Sequence, residues 1–84
     1  MRIAICDDCR EDRGRINDIL RSCLKPGQVE IVEYENGCTL LEHANRYDVI
    51  ILDIEMPDMD GIEVKERLQW KLKSIIIFVT SHEQ

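Results

Sequence analysis

Three carboxylates stand where strands should end. Asp53 follows Val49-Ile50-Ile51-Leu52, and Asp7-Asp8 follows Ile3-Ala4-Ile5-Cys6. Apolar runs of this kind, without alternation, suit strands covered on both faces, as in the interior of a parallel sheet. In open α/β sheets, ligands gather in the crevice beyond the carboxyl ends of the strands, where these acids would meet. Like charges a few Å apart repel, so the cluster needs a cation or a protonated carboxyl. Oxygen ligands that leave room for waters suit a hard divalent ion, Mg²⁺ above all. The plainer alternative is that Asp7 and Asp8 cap the following helix and Asp53 begins a turn, since Asp is a favoured N-cap residue. For Asp8 the two readings stand side by side.

The elements that would position these acids alternate between strand and helix, the signature of an α/β parallel sheet. Ile16, Ile19, Leu20, Cys23 and Leu24 recur at helical spacing and predict an amphipathic helix from about Glu11 to Leu24, stopped by Lys25-Pro26-Gly27. Glu30 to Tyr34 alternates as an outer strand would. Asn36-Gly37 turns into a helix from about Cys38 to Asn45, with Leu40, Leu41 and Ala44 toward the sheet. After Asp53, Pro57 fixes φ and Gly61 permits conformations closed to other residues, shaping a tight turn. Asp60 is placed to cap a helix from Ile62 to about Leu72, with Leu68 and Leu72 inward and Trp70 partly buried. Asp58 is expected to be a solvated loop acid. A calcium loop is excluded, because aligning Gly61 with that motif's glycine puts Met56 and Arg67 at ligand positions. Ile75 to Val79 is the fourth strand. It leads into Thr80, a residue type that also occurs at strand ends merely because it is β-branched.

The ordered set Asp7-Asp8, Leu52-Asp53-Ile54-Glu55-Met56-Pro57 with Gly61, and Val79-Thr80-Ser81 closely resembles a two-component response-regulator receiver domain. The resemblance implies a flavodoxin-like (CheY-like), doubly wound parallel sheet. It implies that Asp53 accepts a phosphoryl group from a phosphohistidine on a sensor histidine kinase. Asp7 and Asp8 then resemble the acids that hold Mg²⁺ together with Asp53, with Glu55 giving its backbone carbonyl and Thr80 the switch hydroxyl. The residue types agree with that role. A carboxylate can act as a nucleophile, and in-line phosphoryl transfer needs mainly positioning and charge neutralisation. Ile54 to Gly61 and the ending Phe78 to Gln84 look most like receivers of the LytTR group, which implies a parent with a separate DNA-binding domain.

Composition narrows the alternatives. The 84 residues are 44% hydrophobic and 33% charged, a globular balance in a single domain spanning 1-84, with no apolar run long enough for a membrane. A net charge of -6 without a Lys/Arg cluster argues against direct nucleic-acid binding by this segment. Met1-Arg2-Ile3 enters the first strand at once, so a cytoplasmic location without a signal peptide is expected. Cys6-Asp7-Asp8-Cys9 forms a C-x-x-C. Burial of Cys6 and the acids around Cys9 favour packing residues in a reducing compartment over a redox pair. His43 and His82 lack ligand-like spacing and are expected to be exposed.

The resemblance covers four strands and about three helices of the family's five strand-helix units, so a receiver truncated after the fourth strand is expected. The family's lysine, at the end of its fifth strand, has no counterpart, since Lys65, Lys71 and Lys73 all precede the fourth strand. Leaving Ile75-Ile76-Ile77-Phe78-Val79 uncovered would forgo roughly 1.5-3 kcal/mol per side chain. That sum is comparable with the total stability of a domain, about 5-15 kcal/mol. A homo-oligomer formed through this strand is therefore expected. Two functional classes follow. One is a Mg²⁺-dependent phosphoacceptor, not an enzyme, that controls a transcription-regulating output. The other is a truncated, phosphorylation-incompetent fragment acting only in self-association or protein interaction.

Overall fold

The computed structural model describes residues 1–43, 46–57, 59–68 and 73–80. In chain order the elements are β1 (Arg2–Cys6), α1 (Arg10–Cys23), β2 (Glu30–Tyr34), α2 (Gly37–His43), β3 (Val49–Asp53), α3 (Gly61–Leu68) and β4 (Ile75–Val79). The strands form one sheet in the order β2-β1-β3-β4, with every neighbouring pair parallel. This is the flavodoxin-like α/β fold, with the sheet reversing direction of growth between β1 and β3. Ala44, Asn45, Asp58, Trp70, Leu72 and His82, which carry sequence expectations, lie outside the described residues.

Strand alternation divides the sheet into two faces. On one, Ala4, Cys6, Ile50 and Leu52 pack with Leu40 of α2, Val64 and Leu68 of α3, and the half-buried Ile76 and Phe78. Ile5, Ile50, Leu52, Leu40 and Val64 are wholly enclosed. The opposite face, carrying Ile3, Ile5 and Ile51, receives α1. There Leu20 and Leu24 border a groove with Ile31, and Ile16 borders another with Val79.

The amphipathic stripe of α1 is real but only half used. No residue of this helix is fully buried, and Ile19 is 54% exposed. Periodicity specifies which side of a helix is apolar, but a stripe wider than the surface beneath it leaves side chains at its margin uncovered. Cys23, expected in the stripe, is exposed for the same reason. Beyond the helix, the Gln28 N–H donates to the Lys25 carbonyl at 3.2 Å, and Gly27 has φ +86°. That is a turn with Pro26 first and a left-handed glycine second, the pattern that demands Gly. The Asn36 side chain accepts the Thr39 N–H at 2.8 Å to cap α2, and Asp60 accepts the Glu63 N–H at 2.9 Å to cap α3, as expected of Asp60.

Two expectations are corrected. His43 is half-buried, with its ring stacked on Tyr34 at 6.3 Å between centroids, because the last turn of α2 lies over the end of β2. Gly61 does not adopt a positive φ. Its role is steric. A Cβ there would stand 2.5 Å from the Asp53 carbonyl oxygen, so glycine lets α3 begin against the end of β3.

Candidate functional site

Register brings the acids together. Cys6 pairs with Leu52, so the next residue of each strand, Asp7 and Asp53, arrives at the same level on adjacent strands. Parallel neighbours lie about 4.8 Å apart, and both side chains continue the face of Ile5 and Ile51. Asp7, Asp8 and Asp53 each offer a carboxylate oxygen, and these oxygens lie within 4.8 Å of one another. Asp7 and Asp53 are buried, whereas Asp8 is exposed at the rim.

The main chain around the acids is fixed on several sides. The Asp7 N–H donates to the Tyr34 carbonyl at 3.0 Å, extending the β1–β2 ladder by one residue. The Arg13 Nη1 donates to the Asp7 carbonyl at 2.8 Å. Asp7 Oδ1 accepts the Cys9 N–H at 2.8 Å, and Cys9 is the N-cap residue of α1 without a side-chain cap bond. Asp8 is therefore not the helix cap, which removes the plainer reading of that residue. Across the crevice, Asp53 Oδ1 accepts the Glu55 N–H at 3.3 Å, and the Ile54 N–H reaches the Val79 carbonyl at 3.0 Å. Since Asp53 and Val79 are paired, Thr80 stands one residue beyond the level of Asp53. Thr80 is exposed and borders a crevice shared with Asp7, Asp12 and Arg15.

Electrostatics mark Asp7 as the strained member. Burial is the largest influence and pushes its carboxyl up from 3.8 to about 6, opposed by the Cys9 N–H and reinforced by the charges of Asp53, Asp12 and Asp8. Its Oδ2 is buried with no hydrogen-bond partner among the described residues. A buried carboxylate oxygen left over beside two other carboxylates is what a hard cation would satisfy, so the residues present fit Mg²⁺. The neighbouring Cys6 thiol is pushed up to about 12, by burial first and then by Asp7 and Asp53. Cys6 therefore stays a thiol at neutral pH and packs its sulfur 3.8 Å from that of Met56. All four cysteines are free.

The sequence matches the family model for the response regulator receiver domain over residues 3–84. The chain belongs to the response-regulator receiver family. Among curated relatives, this receiver is 37% identical over 73 residues to the transcriptional regulatory protein SrrA of Staphylococcus aureus, covering 84% of this chain and 30% of that one. It thus spans about a third of the length of the relatives it matches. The response regulator domain of Thermotoga maritima CheB superposes with a TM-score of 0.82 at 31% identity, over 96% of this chain and 60% of that one. The receiver domain of the putative response regulator NarL from Mycobacterium tuberculosis gives 0.80 at 28% identity, over 99% and 68%.

Of the residues expected at the site, the receiver fold brings Asp7, Asp8 and Asp53 into one cluster and sets Thr80 at its edge. Glu55 is an exposed residue whose amide donates to Asp53. Arg13 went unnoticed in the sequence. Its contacts reach Asp7 in one direction and Glu33, 20 residues away, in the other. A basic residue one turn into the helix that follows paired acids is the only local signal for it.

Proposed function

We propose that this receiver accepts a phosphoryl group on Asp53 from a phosphohistidine of a sensor histidine kinase. Convergence of Asp7, Asp8 and Asp53 at the mouth of the sheet carries this reading. Asp7, Asp8, Asp53 and the backbone carbonyl of Glu55 would hold Mg²⁺. When bound, the ion supplies charge neutralisation to the acids and the incoming phosphoryl oxygens. An Asp53 carboxylate oxygen attacks phosphorus, an O–P bond forms, the N–P bond breaks, and the donor imidazole leaves. The Glu55 N–H orients the Asp53 carboxylate, and burial limits competition from water. Thr80, at the crevice edge, donates its hydroxyl to a phosphoryl oxygen and so couples β4 to the phosphorylated state.

The receiver is a phosphoacceptor that at most phosphorylates itself from small phosphodonors. The name of its Staphylococcus aureus relative, a transcriptional regulatory protein, supports a transcription-regulating output, and a cytoplasmic location belongs to the same reading. The residues from Ile54 to Gly61 and from Phe78 onward favour the LytTR group, with DNA contacts made outside this acidic segment. Acetyl phosphate with Mg²⁺ is expected to add one phosphoryl mass to the wild-type chain and none to Asp53→Asn. Equal labelling of both would remove Asp53 as acceptor.

The exposure of β4 favours association of the 84-residue chain with itself. Among the described residues β4 is an edge strand, and Ile75 and Ile77 on its α1 face are 62% and 45% exposed. Pairing two such edges around a two-fold axis would satisfy their backbone groups and set the exposed isoleucines of the two copies beside one another on the same sheet face. Sedimentation is expected to show a dimer that Ile77→Lys shifts toward monomer. A wild-type chain that stays monomeric at high concentration would exclude this.

A further inference from the structure

We infer that Arg13 is a positioning residue for the metal-holding acids, an inference that rests on the Mg²⁺ reading above. Arg13 lies one turn into α1 with its side chain only 13% exposed. Its Nη1 holds the Asp7 carbonyl at 2.8 Å while its Nε donates to Glu33 Oε1 at 3.2 Å. Glu33 is itself held, because its Oε2 accepts the Asn17 Nδ2 at 2.7 Å, and Asn17 Oδ1 accepts the Arg21 Nε at 2.6 Å. Arg13 is thus fixed at both ends. One end is a strand residue braced by the next turns of α1, and the other is the main chain of the acid.

That arrangement acts on direction rather than charge. The chain leaves the sheet at Asp7, whose N–H still belongs to the β2 ladder while its carbonyl, in the Asp7–Asp8 peptide, has no strand partner among the described residues. The guanidinium occupies that vacant acceptor, fixing the peptide plane through which Asp7 and Asp8 follow each other into the crevice. Adjacent carboxylates can share a cation only if the backbone between them directs both toward the same point, as it does here. Groups that orient metal ligands in this manner are typically worth 10–100-fold in metal affinity.

Electrostatics predicts the opposite sign, which makes the inference testable. A positive charge beside a cation site repels the cation, so removing Arg13 for its charge alone would tighten Mg²⁺ binding. Loss of positioning would weaken it. Isothermal titration of the metal-free chain with Mg²⁺ is expected to show Arg13→Ala binding about tenfold more weakly than wild type. Arg13→Lys, which can still reach the Asp7 carbonyl with a cation, should recover part of the loss. Glu33→Gln leaves one carbonyl oxygen for two donors and should weaken binding in the same direction by less, providing a second variant if Arg13→Ala fails to fold. The amide resonance of Cys9, bonded to Asp7 Oδ1, should move in the metal-free Arg13 variants, reporting the turn directly. Wild-type binding with unchanged or tighter binding by Arg13→Ala and Glu33→Gln would overturn this inference alone. A wild-type chain that binds no Mg²⁺ would overturn it together with the metal reading.

Discussion

In metal-free buffer above pH 6, Asp7→Asn is expected to be more stable than wild type by about 3 kcal/mol, and Mg²⁺ is expected to lose most of its stabilising effect on the variant. The Asp7 carboxyl is fully enclosed and its pKa is raised from 3.8 to about 6, so the fold favours the protonated form. A raised carboxyl pKa contributes stability that is complete below about pH 4 and is lost as pH climbs through 6. A shift of about two pH units, each worth about 1.4 kcal/mol, sets the size. Asn keeps the shape and a carbonyl for the Cys9 N–H, and its amide can donate to the neighbouring carboxylates. For a chain of this length the gain amounts to roughly 10 °C or more in Tm. Mg²⁺ binds the ionised form, so its stabilisation of wild type should grow between pH 5 and pH 7.5. Thermal melts of both chains with EDTA and with Mg²⁺ across that range provide the check, and a less stable Asp7→Asn at pH 7.5 without metal would refute the prediction.

Gly61→Ala is expected to destabilise the chain by about 2–3 kcal/mol and to depress Mg²⁺ binding with it. The added Cβ would stand 2.5 Å from the Asp53 carbonyl oxygen and 3.1 Å from its carbonyl carbon. Both are backbone atoms of β3 at Asp53, so neither can swing aside as a side chain would. Relief requires α3 to retreat, and forced backbone shifts of this kind cost about 1–3 kcal/mol. Retreat would also stretch the 3.0 Å bond from the Gly61 N–H to the Ile54 carbonyl, next to Asp53. Urea denaturation with parallel Mg²⁺ titration measures both effects. A variant as stable as wild type would show that the contact is readily relieved.

The strands and the acids were legible in the sequence because both rest on local patterns. Glu30–Tyr34 and Ile75–Val79 are the strands their alternation and apolar run predicted. The meeting of Asp7 with Asp53 follows from two buried strands that end in carboxylates once they lie side by side. What stayed hidden depended on partners distant in sequence. A helical stripe does not reveal how much surface lies beneath it, so the exposure of Ile19 could not be foreseen. The sequence marks Gly61 as special without separating a need for unusual φ from a need for space, and only the approach of Asp53 decides between them. The bond from Arg13 to Asp7 and the stacking of His43 on Tyr34 likewise appear only after the chain is folded.

Asp53 is proposed to receive phosphate with the help of the neighbouring acids. Peptide mapping by mass spectrometry after treatment with acetyl phosphate tests it most directly, run with Mg²⁺ and again with EDTA. A single phosphoryl group is expected on the peptide containing Asp53, present with Mg²⁺ and absent with EDTA. A modification on another residue, or one on Asp53 equally abundant in EDTA, would contradict it.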